Sequence, residues 1–203
     1  MDKSLIVFLK NPVEGKVKTR IANTAGNIKA LEIYRELLGI LNDNLARVNC
    51  EVYLYFTETP MEISYWANAN YIYRVHKGND LGARMSAAFE EVFRDGGSQK
   101  PLKVLIVGSD CPLLSAEIID EAFLKLDKSD IVLGPAEDGG YYLLGMKKMN
   151  TELFEGVSWS TEKVLNETLD KAAGLGLSVA FTPSLFDIDT EEDWTRWLKL
   201  VKR

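Results

Sequence analysis

Histidine occurs once in this chain, at position 76, and cysteine twice, at positions 50 and 111. No CxxC pair and no Cys/His cluster is available for zinc, and two cysteines in unrelated contexts fit a reducing cytoplasm. Long apolar runs are equally scarce. The N-terminal "SLIVFLK" is too short for a signal-peptide core, and no segment approaches the length needed to span a membrane. A cytoplasmic location without a membrane span is the expectation. Basic residues are outnumbered, 24 Lys and Arg against 30 Asp and Glu, for a net charge of −6. That balance argues against a broad nucleic-acid-binding face. Neither GxxxxGK[ST] nor GxGxxG occurs. Internal repeats, low-complexity tracts and linkers are missing as well.

What is present reads as one domain over 1–203, since 203 residues with 46% hydrophobic content can bury a full core. Strand patterns fall at "SLIVFLK" (4–10), "EVYLYFT" (51–57), "YIYRV" (71–75), "KVLIVGS" (103–109), "DIVLGPA" (130–136), "GYYLLGM" (140–146) and "LSVAFT" (177–182). The stretch 11–27 reads as a loop. A helix follows over about 28–48, with Leu31, Tyr34, Leu38, Leu41 and Leu45 at helical spacing. A second begins at "DLGARM" with Leu81, Met85, Ala88, Phe89 and Val92 inward, capped by Asp80. Ser115 caps a third, and "STEKVLNETLDKAA" makes a fourth. "TEEDWTRWLKLV" closes the chain with a Thr190–Asp193 capping box and a stripe of Trp194, Trp197, Leu198 and Val201. Strands alternating with helices predict a three-layer α/β/α sandwich around a mainly parallel, mixed sheet.

Ligands of such sheets bind beyond the carboxyl ends of the strands. The segments "KNPVEGKVKTR" (10–20), "GSDCP" (108–112) and "GPAEDGG" (134–140) each follow a predicted strand, so all three should gather on one edge. The first carries Lys10, Lys16, Lys18 and Arg20 around Gly15 and suits phosphate groups, or else is a solvated basic loop. In the second, Asp110 stands at a strand end that packing does not require to be charged. A carboxylate beside bound phosphates suits Mg²⁺ or Mn²⁺; the bland reading is a helix or turn cap. Cys111, with no histidine to activate it, reads as a small buried residue.

Asp187 and Asp189 precede the last helix with Ile188 between them, and an extended chain would turn both to one side. Glu137 and Asp138 precede paired Gly139 and Gly140, which suits either a sugar-binding turn or an ordinary one. Gly82 and Arg84 open the second helix, where Arg84 can meet a phosphate or pair with a carboxylate. Trp159 lines a pocket or sits in the core.

Taken in order, "KNPVEGKVKTR", "GNDLGARM", "GSDCP", "GPAEDGGYYLLG", "WSTEKV" and "DIDTEEDW" resemble a bacterial family of radical-SAM/selenodomain-associated transferases. That family lies within the GT-A nucleotide-diphospho-sugar transferases. The resemblance implies a Rossmann-like GT-A fold that holds a nucleotide or nucleotide-sugar through Mg²⁺ or Mn²⁺. It places the metal on Asp110 and Asp189, with Asp187 beside them. It places phosphate contacts on Lys18 and Arg20; Lys10, Gly15, Thr19, Gly82, Arg84 and Ser109 are the further candidate nucleotide contacts. The donor sugar or acceptor, a small molecule, falls near Glu137, Asp138, Gly139, Gly140 and Trp159. Asp110, Asp138 and Lys18 would carry the chemistry. The first loop departs from the LxxGxSxRxG pattern of nucleotidylyltransferases, and "GSDCP" holds one aspartate where many glycosyltransferases have two. Three functions follow in order: glycosyl transfer from a nucleotide-sugar, nucleotidyl transfer with pyrophosphate release, and nucleotide binding without catalysis.

Overall fold

Unbroken apolar runs such as "LIVFL" and "LKVLIV" are what strands buried on both faces require, and these two become the centre of the sheet. The computed structural model describes residues 2–61, 66, 70–96 and 102–201. In it, β1 (Asp2–Leu9) and β4 (Leu102–Val107) run parallel, with Leu5 beside Leu105 and Val7 beside Val107. On the other side of β1 lie β2 (Glu51–Phe56) and then β3 (Ile72–Val75), also parallel. With β5 (Ile131–Pro135), β6 (Tyr141–Met146) and β7 (Val179–Phe181), the order is β3-β2-β1-β4-β6-β5-β7.

Among the described strands, β6 alone runs antiparallel, pairing with both β4 and β5. Its link to β5 is the turn through 136–140, far too short for a crossover, so β6 must fold back. Gly139 takes φ +89° in that turn, a conformation open to glycine and costly for most other residues.

Apolar stripes decide which helix covers which face. Tyr34, Leu38, Leu41 and Leu45 of α2 (Asn27–Leu45) join Ile119 and Phe123 of α4 (Ala116–Lys125) over Leu5, Val7 and Leu105. Met85, Phe89 and Val92 of α3 (Leu81–Asp95) and Ala172 of α5 (Val164–Gly174) cover the opposite face at Ile6, Val104 and Ile106. Ile21 of α1 (Thr19–Ala25) meets Ile33 and Leu37 of α2 and Trp194 of α6 (Glu191–Val201) in a third cluster. The architecture is the three-layer α/β/α sandwich that the alternating pattern predicts.

Several details differ from the sequence reading. The loop expected over 11–27 contains α1, which buries only Ile21 and is too short to show periodicity. The fourth expected helix starts at Val164, because Glu167 takes the Ser158 N–H at 2.6 Å and the Ser158 hydroxyl at 3.0 Å, holding the preceding residues in a turn. Leu81 and Val201, expected inward, are 39% and 52% exposed. The three expected caps are present: Asp80 accepts from Ala83, Ser115 from Ile118, and Asp193 from Thr190.

Candidate functional site

The strand ends of β1, β4, β5 and β7 share one edge of the sheet, and the polar segments that follow them meet there. Lys18 organises the meeting. Its backbone lies in the left-handed region at φ 47°, ψ 48°, uncommon for a residue with a Cβ. Its side chain is 5% exposed, and its ammonium lies 2.7 Å from Asp110 Oδ1 and 3.7 Å from Asp189 Oδ1. The same ammonium donates to the Ile188 carbonyl at 2.6 Å. Arg20, mostly exposed, reaches Asp189 Oδ2 at 3.3 Å.

The C-terminal acidic segment is held against β4 by its backbone. Ile188 N–H donates to the Asp110 carbonyl at 2.9 Å, and the Ile188 side chain is fully buried beside Trp194 and Phe186. Asp187 and Asp189 are thus set on either side of an anchored residue. Burial, then the neighbouring Asp110 charge, pushes the Asp187 carboxyl up to about 7, against the pull of Lys18. Burial likewise raises the Cys111 thiol, which agrees with an inert core residue rather than a nucleophile.

Asp110, Asp187 and Asp189 supply hard oxygen donors, the chemistry that Mg²⁺ and Mn²⁺ select. Among the described residues, no three acidic, histidine or cysteine groups are placed to hold a metal ion together. Mg²⁺ does not need three such groups, since it usually takes one or two carboxylates and completes its shell with phosphate oxygens and water. An ammonium already sits between Asp110 and Asp189, so the pair accepts a cation. The donor set fits the ion.

The cluster forms one end of a cleft of about 950 Å³. Lys10, Thr19, Ser109, Asp138 and Gly140 line it as well. Tyr34 rivets the first loop to α2: its hydroxyl accepts from Lys10 N–H at 2.8 Å and donates to Lys10 O at 3.1 Å. Ser109 Oγ lies 3.4 Å from that hydroxyl. Asp138 Oδ1 accepts the Gly140 N–H at 2.9 Å, which sets the carboxylate at the mouth of the β5–β6 turn. The lining also includes apolar Phe8, Met85 and Trp159, together with Arg84. Arg84 Nε donates to Gly78 O at 3.2 Å.

Some expected site residues lie elsewhere or act indirectly. Glu137 is outside the cleft lining; its two oxygens take both terminal nitrogens of Arg196 at 2.7 and 2.9 Å. Gly139 backs onto Glu162, whose carbonyl would be 2.2 Å from an added Cβ, so its smallness serves packing. Gly82 lies under the Trp159 indole, with Nε1 at 2.2 Å from an added Cβ, and thereby seats that wall. Gly15 and Lys16 belong to an exposed turn away from the lining.

Phe8, Tyr34 and His76 line the cleft without having stood out as site residues. The signal for Tyr34 is a hydroxyl on an otherwise apolar helix stripe, which must find a partner when buried.

His76 has a distinct electrostatic role. Its ring lies 4.0 Å from that of Phe8, and Nε2 meets the Tyr55 carbonyl at 2.9 Å, so Nε2 carries the proton. Burial, assisted by the Arg84 charge, lowers its pKa to about 4 from the usual 6.5. The unfolded chain therefore accepts a proton near pH 6.5 that the folded chain refuses until about pH 4. The neutral ring's contribution is complete above pH 6.5 and is lost as pH falls towards 4. Asp187, raised to about 7, acts in the opposite sense over the same range. The readout is accordingly a difference. Thermal melts at pH 7.5 and 4.5 should show wild type losing stability relative to His76→Gln as pH falls. A difference independent of pH would disprove the assignment.

A seven-stranded α/β sandwich with a cationic and acidic cleft at its carboxyl edge defines the class of nucleotidyltransferase and GT-A-like proteins. The chain belongs to the bacterial family DUF2064, described as "Uncharacterized protein conserved in bacteria", whose model matches residues 40–161. A crystal structure from Desulfovibrio desulfuricans G20, provisionally described as a nucleotide-diphospho-sugar transferase, superposes with a TM-score of 0.85 at 31% identity. The match covers 94% of this chain and 84% of that one. The 2-phospho-L-lactate guanylyltransferase of Methanocaldococcus sp. (strain FS406-22) is 31% identical over 118 residues, 58% of this chain and 48% of its own. This chain thus spans about half the length of that curated relative. The 4-diphosphocytidyl-2C-methyl-D-erythritol synthase of Anaerococcus prevotii DSM 20548 shares the fold, with a TM-score of 0.65 at 15% identity, covering 100% of this chain and 96% of that one. The first two of these are described as transferases.

Proposed function

We propose that the cleft binds a nucleotide-diphospho-sugar with Mg²⁺ or Mn²⁺ and transfers the sugar to a small-molecule acceptor. The observation that carries this reading is the Lys18 ammonium between Asp110 and Asp189, 2.7 and 3.7 Å away, at the edge where β1 and β4 end. The D. desulfuricans relative, similar over 94% of this chain, supports the donor class. When bound on Asp110 and Asp189, the ion supplies charge neutralisation on the leaving diphosphate. Lys18 and Arg20 add fixed positive charge to the same oxygens, and Lys10, Thr19 and Ser109 hold the phosphate chain. Arg84 contacts the nucleotide, and Trp159, seated on Gly82, walls the acceptor side with Gly140. Asp138 accepts the proton of the acceptor hydroxyl as its oxygen bonds to the anomeric carbon. The bond from that carbon to the diphosphate breaks, and the nucleoside diphosphate leaves with the electron pair.

Nucleotidyl transfer is the second reading, and the guanylyltransferase similarity over 118 residues favours it. In that case the acceptor oxygen bonds to the α-phosphorus and pyrophosphate leaves. Product analysis with Mn²⁺ and a panel of acceptors separates the two. Nucleoside diphosphate released from a nucleotide-sugar supports glycosyl transfer, and pyrophosphate released from a nucleoside triphosphate supports nucleotidyl transfer. Binding of both donors without turnover would mark a nucleotide-binding module.

The two C-terminal aspartates should differ. Asp189 touches Lys18 and Arg20, whereas Asp187 is partly buried and its carboxyl sits near 7, so it holds a proton for part of the time at neutral pH. Asp189→Ala should abolish Mn²⁺-dependent nucleotide binding in calorimetry, and Asp187→Ala should weaken it less. The reverse order would move the ion to the Asp187 side of the anchored Ile188.

A further inference from the structure

The free site is already neutralised from within. The ammonium touching Asp110 and Asp189 comes from a side chain 5% exposed, while the two carboxylates are 43% and 44% exposed. Asp110, Asp189 and Lys18 all line the cleft. An incoming ion therefore meets a carboxylate pair that already has a cation. We propose that Lys18 is the resident counter-ion of this site, holding the cation position in the free protein and giving it up to a divalent ion when phosphates arrive to receive the ammonium. This rests on the metal-and-nucleotide reading above.

Three observations carry it. First, the ammonium contacts Asp110 at 2.7 Å, closer than the 3.3 Å between Arg20 and Asp189, so it is the tightest cation in the cluster. Second, Lys18 keeps a left-handed backbone at φ 47° that a lysine does not prefer. Surrounding contacts hold such a conformation in place, and here they include the ion pairs, the bond to Ile188 O and the Ala22 N–H that donates to the Lys18 carbonyl at 2.9 Å. Third, the group is an ammonium on a flexible four-carbon stem, a point charge that can change partners without moving the backbone. A divalent ion placed on Asp110 and Asp189 repels that charge, and the nearest anionic acceptors for it are the phosphates the ion brings.

The consequence is an inversion of sign. Neutralising Lys18 removes a competitor for the ion and also removes a ligand for the phosphates. Binding of Mn²⁺ alone should therefore tighten, while binding of phosphates with Mn²⁺ should weaken. A purely structural lysine weakens both, and one that only contacts phosphate leaves Mn²⁺ alone unchanged.

The test uses the full chain, with Mn²⁺ alone followed by the resonance signal of unbound Mn²⁺, and inorganic pyrophosphate as a base-neutral phosphate probe. K18Q, and K18M as a second neutral variant of similar length, should each bind Mn²⁺ at least tenfold more tightly than wild type. Both should bind pyrophosphate with Mn²⁺ at least tenfold more weakly. Adding D110N to K18Q should erase the gain for Mn²⁺. Mn²⁺ binding by the neutral variants no tighter than by wild type overturns the proposal, whether or not their melting temperatures fall. Pyrophosphate binding by wild type that ignores Mn²⁺ overturns instead the metal-dependent function, and is read separately from the affinity for Mn²⁺ alone.

Discussion

Asp110→Asn is expected to lower Mn²⁺-dependent nucleotide affinity by at least about 100-fold, equivalent to about 2.7 kcal/mol, with little loss of fold. The carboxylate lies three residues beyond β4, is 43% exposed, and pairs with Lys18 at 2.7 Å. The apolar residues of β4 are satisfied within the sheet and take nothing from it. Asparagine keeps the size and the hydrogen-bonding oxygen, so only the charge is removed. Lys18 retains the Ile188 carbonyl and Asp189. Its loss of one charge-assisted partner should cost about 1 kcal/mol, or about 2–4 °C in a domain of this size. Calorimetry with Mn²⁺ and a melting curve check both halves. A variant that binds Mn²⁺ and nucleotide like wild type would remove Asp110 from the ion.

The double variant Lys18→Ala/Arg20→Ala should lose at least about 10- to 150-fold in nucleotide affinity, the equivalent of one charge-assisted contact worth about 1.5–3 kcal/mol. The loss should be smaller for a nucleoside, which offers no phosphate. Arg20 is 73% exposed, and such cations usually alter stability by no more than about 0.5 kcal/mol. Lys18 is different, because its buried ammonium keeps Asp110 and Asp189 from facing each other uncompensated. The variant should therefore melt several degrees lower in chelator and recover when Mn²⁺ takes over the compensation. Equal losses for nucleoside and nucleotide would reduce these residues to surface charge, as would melting that Mn²⁺ does not restore.

Local chemistry was legible in the sequence wherever a contact spans a few residues. Asp80, Ser115 and the Thr190–Asp193 box cap helices as their spacing requires. The apolar runs became the strands expected, with ends shifted by a residue or two. Asp110, Asp187 and Asp189 could be singled out because none had a local partner to explain it. Contacts that only packing creates were not legible. Glu137 looked available for a ligand until Arg196, 59 residues away, took both its oxygens. Gly139 also makes room for the Glu162 backbone, beyond the φ of its turn, and Gly82, expected at the nucleotide, makes room for the Trp159 ring. The burial of Lys18 could not be read from a loop rich in cations, since it depends on a carbonyl 170 residues downstream.

The backbone bond between Ile188 and Asp110 has a consequence for the order in which the molecule assembles. Residues 187–189 lie beyond the stretch 40–161 that the family model matches, and they follow the seven described strands in chain order. Until they dock, Ile21, Ile33 and Leu37 lack Phe186, Ile188 and Trp194 as partners. Joining Lys18 to Ile188 closes a loop of 170 residues, the kind of non-local contact whose entropy must be met before it contributes anything. The central pairing of β1 with β2 and β4 needs none of this segment. Chain collapse and sheet formation can thus run ahead of the site, which closes as the final event of folding. Pulse-labelled hydrogen exchange during refolding should find the Ile188 amide protected after those of β1 and β4. Simultaneous protection would mean that the acidic segment is part of the folding nucleus.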